Sequence, residues 1–590
     1  MKKTNIRRTA LLLVIALLAM LLSGCAAARP GADDGRASRT VELPQRLDYS
    51  GEDYIDMVSF PEMEYVRPDL DGDLARIDAL IAALAEREDS GMDLRRTARE
   101  LSSIYAAYYT YDTMMTLAEI RHDLNTADPY YDEEYTYCAS GRIELGEKFE
   151  ELFAACAGSA QADSLSEFFG EGFLDEYDAD YVYPEAYIAL SRRENELEQQ
   201  YHSALTDAHV TYEGRDYTRS ELYRAARSGA LGALTPSEAL DLYYDAVNPE
   251  LGGIYVELVK VRQQLAAERG YDSYIDMAYS ANGRDYGPED VQAYTAAIVE
   301  RLVPLYRRAV AEGLADSAND TTPMKARRCL QAVTAAANAM GGEIADAMEY
   351  LLAYELCDVD SSDTKYADSY EIYLEDYESP FFLVNSIGYS EDTLTIAHEF
   401  GHFTDDYVNY GIGKSTDVNE TISQGMEYLT LCYLEDDALR AELTAYKLMD
   451  TLQLYAEQGS YNAFEERVYA LPADEVTLEN INAISLQVSQ EYGVDGRWSD
   501  DYYAKSWIEI THFYDMPFYL VSYFVSDSAA VQLYEMELET PGSGLAMYGD
   551  YIDLATEEEF MDIAADCGLR NPISAAQIAA LAETLEQQLF

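Results

Sequence analysis

From about residue 70 onward, apolar residues recur at three- and four-residue spacing in one segment after another, and this periodicity confines the chain to a mainly α fold. Leu70 to Glu86, Arg96 to Leu117 and Tyr183 to Leu205 each carry such a stripe. Helix starts are marked chemically. Thr218-Arg-Ser-Glu221 and Thr235-Pro-Ser-Glu238 both place a hydroxyl three residues before a glutamate, the spacing at which each side chain can bond the other's backbone N–H. Pro288 opens a long amphipathic segment reaching about Leu314, and Asn571-Pro572 opens the last helix. Strand signals are few. Val210 to Thr218 reads as a hairpin turning at Gly214, and Pro380-Phe-Phe-Leu-Val-Asn-Ser-Ile387 as a compact β-prone run ended by Gly388. No fixed-period repeat is present. The expected organisation is an N-terminal helical lobe over residues 49–340 and a second lobe over 341–590 that carries the chemistry beside one small sheet.

Hydrophobic residues make up 48% and charged residues 25%, so the chain can bury a large core. The 41 Lys+Arg stand against 109 Asp+Glu, a formal net charge of −68. Such a surface is repelled by nucleic acid and by anionic lipid, which excludes nucleic-acid functions. Solubility accounts for the acidity; a preference for basic peptides is the sharper reading. The 52 tyrosines against 2 tryptophans suit half-buried helix positions, with some free to stack on a peptide in a cleft. The seven cysteines are scattered without a CxxC pair, which argues against a cysteine metal site and leads to no disulfide assignment.

The N-terminus reads as an address. Lys2, Lys3, Arg7 and Arg8 precede an unbroken apolar run of 13 residues, Ala10 to Leu22, too short for a comfortable transmembrane helix and suited to a signal segment. It ends in Leu22-Ser23-Gly24-Cys25, which resembles the bacterial lipobox. That resemblance implies a signal peptide over 1–24, lipidation of Cys25 and an extracytoplasmic, membrane-anchored protein. Residues 25–48 are rich in Gly, Arg, Asp and Pro and read as a flexible tether.

His398-Glu399-Phe400-Gly401-His402 is the densest chemical signal. On a helix, residues four apart share a face, so both imidazoles reach one ion, and neutral imidazole is a good zinc ligand. Glu399, one residue round, reaches a water held there and is the candidate general base. Only six histidines exist in the chain, so the pairing is informative. A catalytic zinc takes three protein ligands and leaves a position open. The third is sought on the next helix, where Glu420, Ser423 and Glu427 share a face after a Gly411-Ile-Gly413 turn. Glu420 is the preferred ligand; Glu427 is its partner in supporting the site or, alternatively, the ligand itself. Ser390 is the candidate cap of the histidine helix.

These residues resemble the oligoendopeptidase F and thimet oligopeptidase family. The resemblance covers roughly residues 180 to 590. It is carried by Pro380 to Gly388, by Thr395-Ile-Ala-His-Glu-Phe-Gly-His402, by Glu420-x-x-Ser423-Gln424-x-x-Glu427, by Arg269 to Tyr274 with Arg284-Asp-Tyr286, and by His512-Phe-Tyr514-Asp515-Met-Pro-Phe518-Tyr519. Three departures stand out: Asp405 occupies a position where the family often has His, the spacer from His402 to the ligand glutamate is short, and Val521 replaces a common Tyr. The resemblance implies two helical lobes around a deep channel and one zinc ion per chain. It implies oligopeptide substrates, with His512 and Tyr514 as catalytic donors to the oxyanion and Tyr519 lining the pocket. The Phe381 to Ile387 run is expected to act as an edge strand against substrate backbone, with Phe382 and Val384 facing it. The function so read is a zinc endopeptidase of short unfolded peptides at the cell surface. The alternatives are a carboxypeptidase-type zinc enzyme and a non-catalytic peptide- or metal-binding lipoprotein.

Overall fold

A computed structural model describes residues 57–85, 94–169, 173–177 and 185–590, and every structural statement refers to these. The signal segment, Cys25 and the tether lie outside them.

The periodic segments form helices. α1 (Leu70–Ala85), α2 (Leu94–Leu124) and α3 (Pro129–Ala157) enclose a small core of Leu80, Leu101, Leu152 and Phe153. Asp128 caps α3 by accepting the Tyr130 N–H at 2.9 Å, with Pro129 at the first helical position. α4 (Glu185–Thr206) leads into a hairpin of β1 (Val210–Tyr212) and β2 (Arg215–Tyr217), turning through Glu213 and Gly214 at positive φ. Both expected capping boxes form, the second opening α5 (Pro236–Glu268) and the first a helix over Arg219–Arg227. α6 (Pro288–Glu312) ends at Gly313 in the left-handed region. A second, much larger core runs from α5 to the C-terminus and is continuous across residue 340, where Ala337 and Met340 share it with Ala347 and Leu351. The far end of α2 joins it through Met114, Leu117 and Ile120, which ties the N-terminal bundle to the rest.

The small sheet has the order β3-β5-β4, with β3 at Cys357–Asp358, β4 at Tyr370–Leu374 and β5 at Ser379–Leu383. β5 is parallel to β3 and antiparallel to β4. It is therefore the central strand, and all five of its residues are buried. This corrects the expected edge strand. Phe382 and Val384 are 0% exposed and face the core, not a ligand. An unbroken apolar run suits a strand covered on both faces, and Pro380 to Val384 has that character. Among the described residues β3 and β4 each pair with β5 alone, so both are edges and β4 is the longer one.

The remaining helices that matter are α7 (Asp392–Asn409), α8 (Thr416–Tyr433), α9 (Asp437–Tyr469), α10 (Val521–Glu539) and α11 (Ala575–Leu589). α8 lies between α7 and α10 in the main core. α11 starts later than Asn571-Pro572, with Ser574 as its cap. The six described cysteines are free. Among the described residues no helix is long and apolar enough to cross a membrane.

Candidate active site

The chain enters α7 through a tight turn. The Asp392 carboxylate accepts the backbone N–H groups of Ile387, Gly388 and Tyr389 at 3.0, 2.9 and 3.3 Å. Ser390 is not the cap; its hydroxyl donates to Glu442 of α9 instead. One turn further, His398 and His402 share a face of α7, with ring centroids 5.0 Å apart. Between them, Gly401 meets α8 backbone to backbone: a Cβ there would lie 2.6 Å from Ser423 Cα. That close approach brings Glu420 to the histidines, its Oε2 3.5 Å from His398 Nε2. Ligand atoms of His398, His402 and Glu420 all lie within 4.8 Å of one another. Two imidazoles and one carboxylate, gathered with a side left open, fit a catalytic zinc. Ser423 steadies Glu420, its hydroxyl 3.4 Å from Oε2.

Glu427, one helical turn and more beyond Glu420, stands behind His398 and not beside the ligand atoms. Its Oε1 accepts from His398 Nδ1 at 2.9 Å, which leaves Nε2 facing Glu420. Its other oxygen accepts from the buried Lys447 of α9 at 2.7 Å. A carboxylate behind a ligating histidine fixes ring orientation and tautomer.

The electrostatics match the geometry. Burial by itself pushes His398 down, but Glu427, Glu399 and Glu420 outweigh it and hold the imidazole raised to about 9. Burial and then the neighbouring positive charges of His398 and Lys414 push His402 down. Burial raises Glu399 to about 7 against the pull of His398, and burial raises Glu420 as well. An excess of buried carboxylates over cations marks a place that favours added positive charge. Asp405, where the resembled family often has His, is paired with Lys414 and accepts from Asn409 at 2.8 Å, away from the ligand atoms.

The other wall is the segment from Thr511 to Tyr523. Thr511–Asp515 is a five-residue helix, a bend follows at Pro517-Phe518, and α10 then begins. Pro517 does break the helical run. Tyr514, however, cannot serve as an oxyanion donor: it is 0% exposed, its hydroxyl donates to the Leu251 carbonyl at 3.1 Å, and its ring stacks on Tyr201 with centroids 3.4 Å apart. In so short a helix Tyr514 points away from His512, into the core. The tyrosines that face His512 are Tyr519, at 5.5 Å between ring centroids, and Tyr523, at 6.5 Å. Burial and the nearby Glu420 carboxylate raise the Tyr519 phenol to about 12, so it stays protonated and able to donate. Burial lowers His512, with Asp515 opposing. Lys447 carried no sequence signal beyond its place on a helix, whereas Tyr523, like Tyr519, could be read as a stand-in for the tyrosine that Val521 replaces. Tyr519 carried a further signal, since it follows Pro517 by two residues and escapes the short helix.

Comparison with known proteins bears on the fold and on what the chain is similar to. Residues 60–181 match the family described as Peptidase M3 N-terminal domain. Oligopeptidase PepF of Bacillus subtilis (strain 168) is 24% identical over 225 residues, 36% of this chain and 33% of that protein, so the match spans about a third of the relative's length. Among solved structures, a putative oligoendopeptidase F aligns with a TM-score of 0.70 and 21% identity over 90% of this chain and 98% of that one. PZ peptidase A aligns at 0.68 with 20% identity, over 90% of this chain and 99% of that one. A putative oligoendopeptidase F from Bacillus anthracis str. Ames aligns at 0.64 with 20% identity, over 91% and 98%. The fold is thus the helical oligoendopeptidase F fold with its small sheet. The domain match, the relative and the fold agree in what the chain is similar to, M3 peptidases of the oligoendopeptidase F type.

Proposed function

We propose that this protein is a zinc-dependent endopeptidase that cleaves short, unfolded oligopeptides. The observation that carries the reading is the convergence of His398, His402 and Glu420 on one point, with Glu399 beside them and the His512–Tyr519 pair opposite. Those three residues would hold a zinc ion, which would supply Lewis-acid chemistry to polarise a peptide carbonyl and acidify water. Glu399, its carboxyl raised to near neutrality by burial, accepts the proton of the attacking water and delivers it to the departing amine. His512 and Tyr519 donate to the carbonyl oxygen as negative charge develops on it. Glu427, backed by Lys447, keeps His398 in the tautomer that presents Nε2. The free edge of β4 offers main-chain groups to an extended peptide, which supports tolerance of side-chain sequence.

The reading extends to location. Leu22-Ser-Gly-Cys25 supports a lipid anchor on Cys25 that holds the enzyme on the outer face of a membrane. This part rests on the sequence alone. Cys25→Ser is expected to move the protein out of the detergent phase; a Cys25→Ser protein that still partitions with detergent overturns the anchor.

The enzymatic reading is tested by metal analysis together with an internally quenched peptide blocked at both ends. One zinc per chain and internal cleavage are expected. Cleavage restricted to peptides with a free C-terminus would instead indicate a carboxypeptidase, and zinc binding without any cleavage a binding protein.

A further inference from the structure

Phe518 sits at φ 63°, in the left-handed region that residues with a Cβ avoid. Nothing about a phenylalanine favours this conformation, so its surroundings must impose it. Its ring is buried between Tyr279 and Tyr469, with centroids at 5.8 and 5.6 Å. Its backbone is gripped on both sides by buried ionisable groups. Glu465 of α9, 1% exposed, accepts the Phe518 N–H on both carboxylate oxygens, at 3.0 and 3.1 Å. Arg284, 8% exposed, donates from Nη2 to the Phe518 carbonyl at 2.6 Å and to the Ser522 hydroxyl at 3.1 Å. The same guanidinium lies 3.8 Å from Asp417, in the first turn of the helix that carries Glu420, and Tyr286 donates to that carboxylate at 2.8 Å. Just upstream, Arg262 donates to the carbonyls of Phe513 and Tyr514.

Buried ionisable side chains are expensive, and most segments satisfy their main-chain groups without them. Here three converge on one short stretch of backbone, and the two that grip Phe518 come from elements far apart in the chain. The residue immediately after Phe518 is Tyr519. A switch of Phe518 to negative φ would redirect the chain and swing the Tyr519 phenol away from His512 and Glu420.

We infer that Glu465 and Arg284 are positioning residues of the proposed reaction: they clamp the N–H and C=O of Phe518 in the left-handed conformation and thereby keep Tyr519 facing the metal site. This inference rests on the reading of Tyr519 as a donor to the developing oxyanion. Neither residue touches the substrate.

Steady-state kinetics on one quenched peptide, zinc content and thermal melting test it in Glu465→Leu, Arg284→Met, Tyr519→Phe and the double variant Glu465→Leu/Tyr519→Phe. Glu465→Leu and Arg284→Met are each expected to lower kcat roughly 10²-fold, as loss of one oxyanion donor does, with KM within about threefold and zinc retained. The double variant is expected to match Tyr519→Phe alone, because a clamp that acts through Tyr519 has nothing left to position. Independent, multiplying losses in the double variant overturn the inference. So does a wild-type kcat in Glu465→Leu while Tyr519→Phe remains impaired. A Tyr519→Phe enzyme with normal kcat refutes the donor reading itself. Should Glu465→Leu fail to fold, Glu465→Asp keeps the carboxyl group and withdraws the acceptor by about 1.5 Å. It is expected to lose about tenfold in kcat at unchanged zinc content, and a wild-type kcat there overturns the clamp.

Discussion

The α7–α8 pair and the Thr511–Tyr523 segment face the same space, yet they hold their side chains by different means. In the helix pair, position follows from regular geometry: a four-residue step aligns His398 with His402, and a glycine contact sets the distance to Glu420. In the segment, a five-residue helix, a proline and a left-handed phenylalanine give each side chain its own direction, and buried side chains from α5, the 282–284 turn and α9 hold the result. Placement in the first region is local and robust. In the second it depends on residues more than fifty positions away.

This contrast can be broken at several points. The largest effect is expected in the helix pair. His398→Ala or His402→Ala removes one of three ligands, and metal analysis should find zinc absent and activity down by at least about 10³-fold. Glu399→Gln separates ligation from proton transfer: zinc should remain while kcat falls by up to about 10⁴-fold. A zinc-free Glu399→Gln protein would contradict the role assigned here.

Next in size are the tyrosines. Tyr519→Phe is expected to cost roughly 10²–10³ in kcat with little change in KM. Tyr514→Phe should leave kcat within about twofold and lower stability by about 1 kcal/mol, since it removes one buried hydrogen bond to the Leu251 carbonyl. A reversed pattern would return the donor role to Tyr514 against its burial.

The smallest effect belongs to the support behind His398. Glu427→Gln can still accept from Nδ1 but loses the pairing with Lys447, and zinc affinity measured by chelator competition should weaken about 10- to 100-fold. Unchanged affinity would show that ring orientation is set by packing alone.

The same contrast explains what could be read in advance. The helical periodicity, both capping boxes and the hairpin at Gly214 appear where the local pattern puts them, because each depends on neighbours a few residues away. His398, His402, Glu399 and Glu420 were legible for the same reason: a helix converts spacing into direction. The resemblance at His512 to Tyr519 placed the donor at Tyr514, which the structure buries, while Tyr519 lies beside His512. Tyr514 and Tyr519 differ in exposure because of the bend at Phe518, and that bend is imposed by Arg284 and Glu465 from elsewhere in the chain. The strand error has a similar origin. Phe381 to Val384 looks like any β-prone run, and only the pairing with β3 and β4 makes it central.

The glycine contact between α7 and α8 has a consequence for what His398, His402 and Glu420 could hold together. With no side chain at Gly401, the helices touch at a distance that a single methyl would forbid, 2.6 Å from its carbon to Ser423 Cα. Ordinary carbon–carbon contact is about 3.5–4.0 Å, so Gly401→Ala must drive the helices apart by about 1 Å. Coordination tolerates only about 0.2 Å around the preferred bond lengths. The wedge would therefore carry Glu420 out of reach of a small ion while leaving both imidazoles in place. Position 401 thus sets how closely Glu420 approaches the two imidazoles, and Gly401→Ala is expected to weaken binding of a small ion there, read by metal analysis.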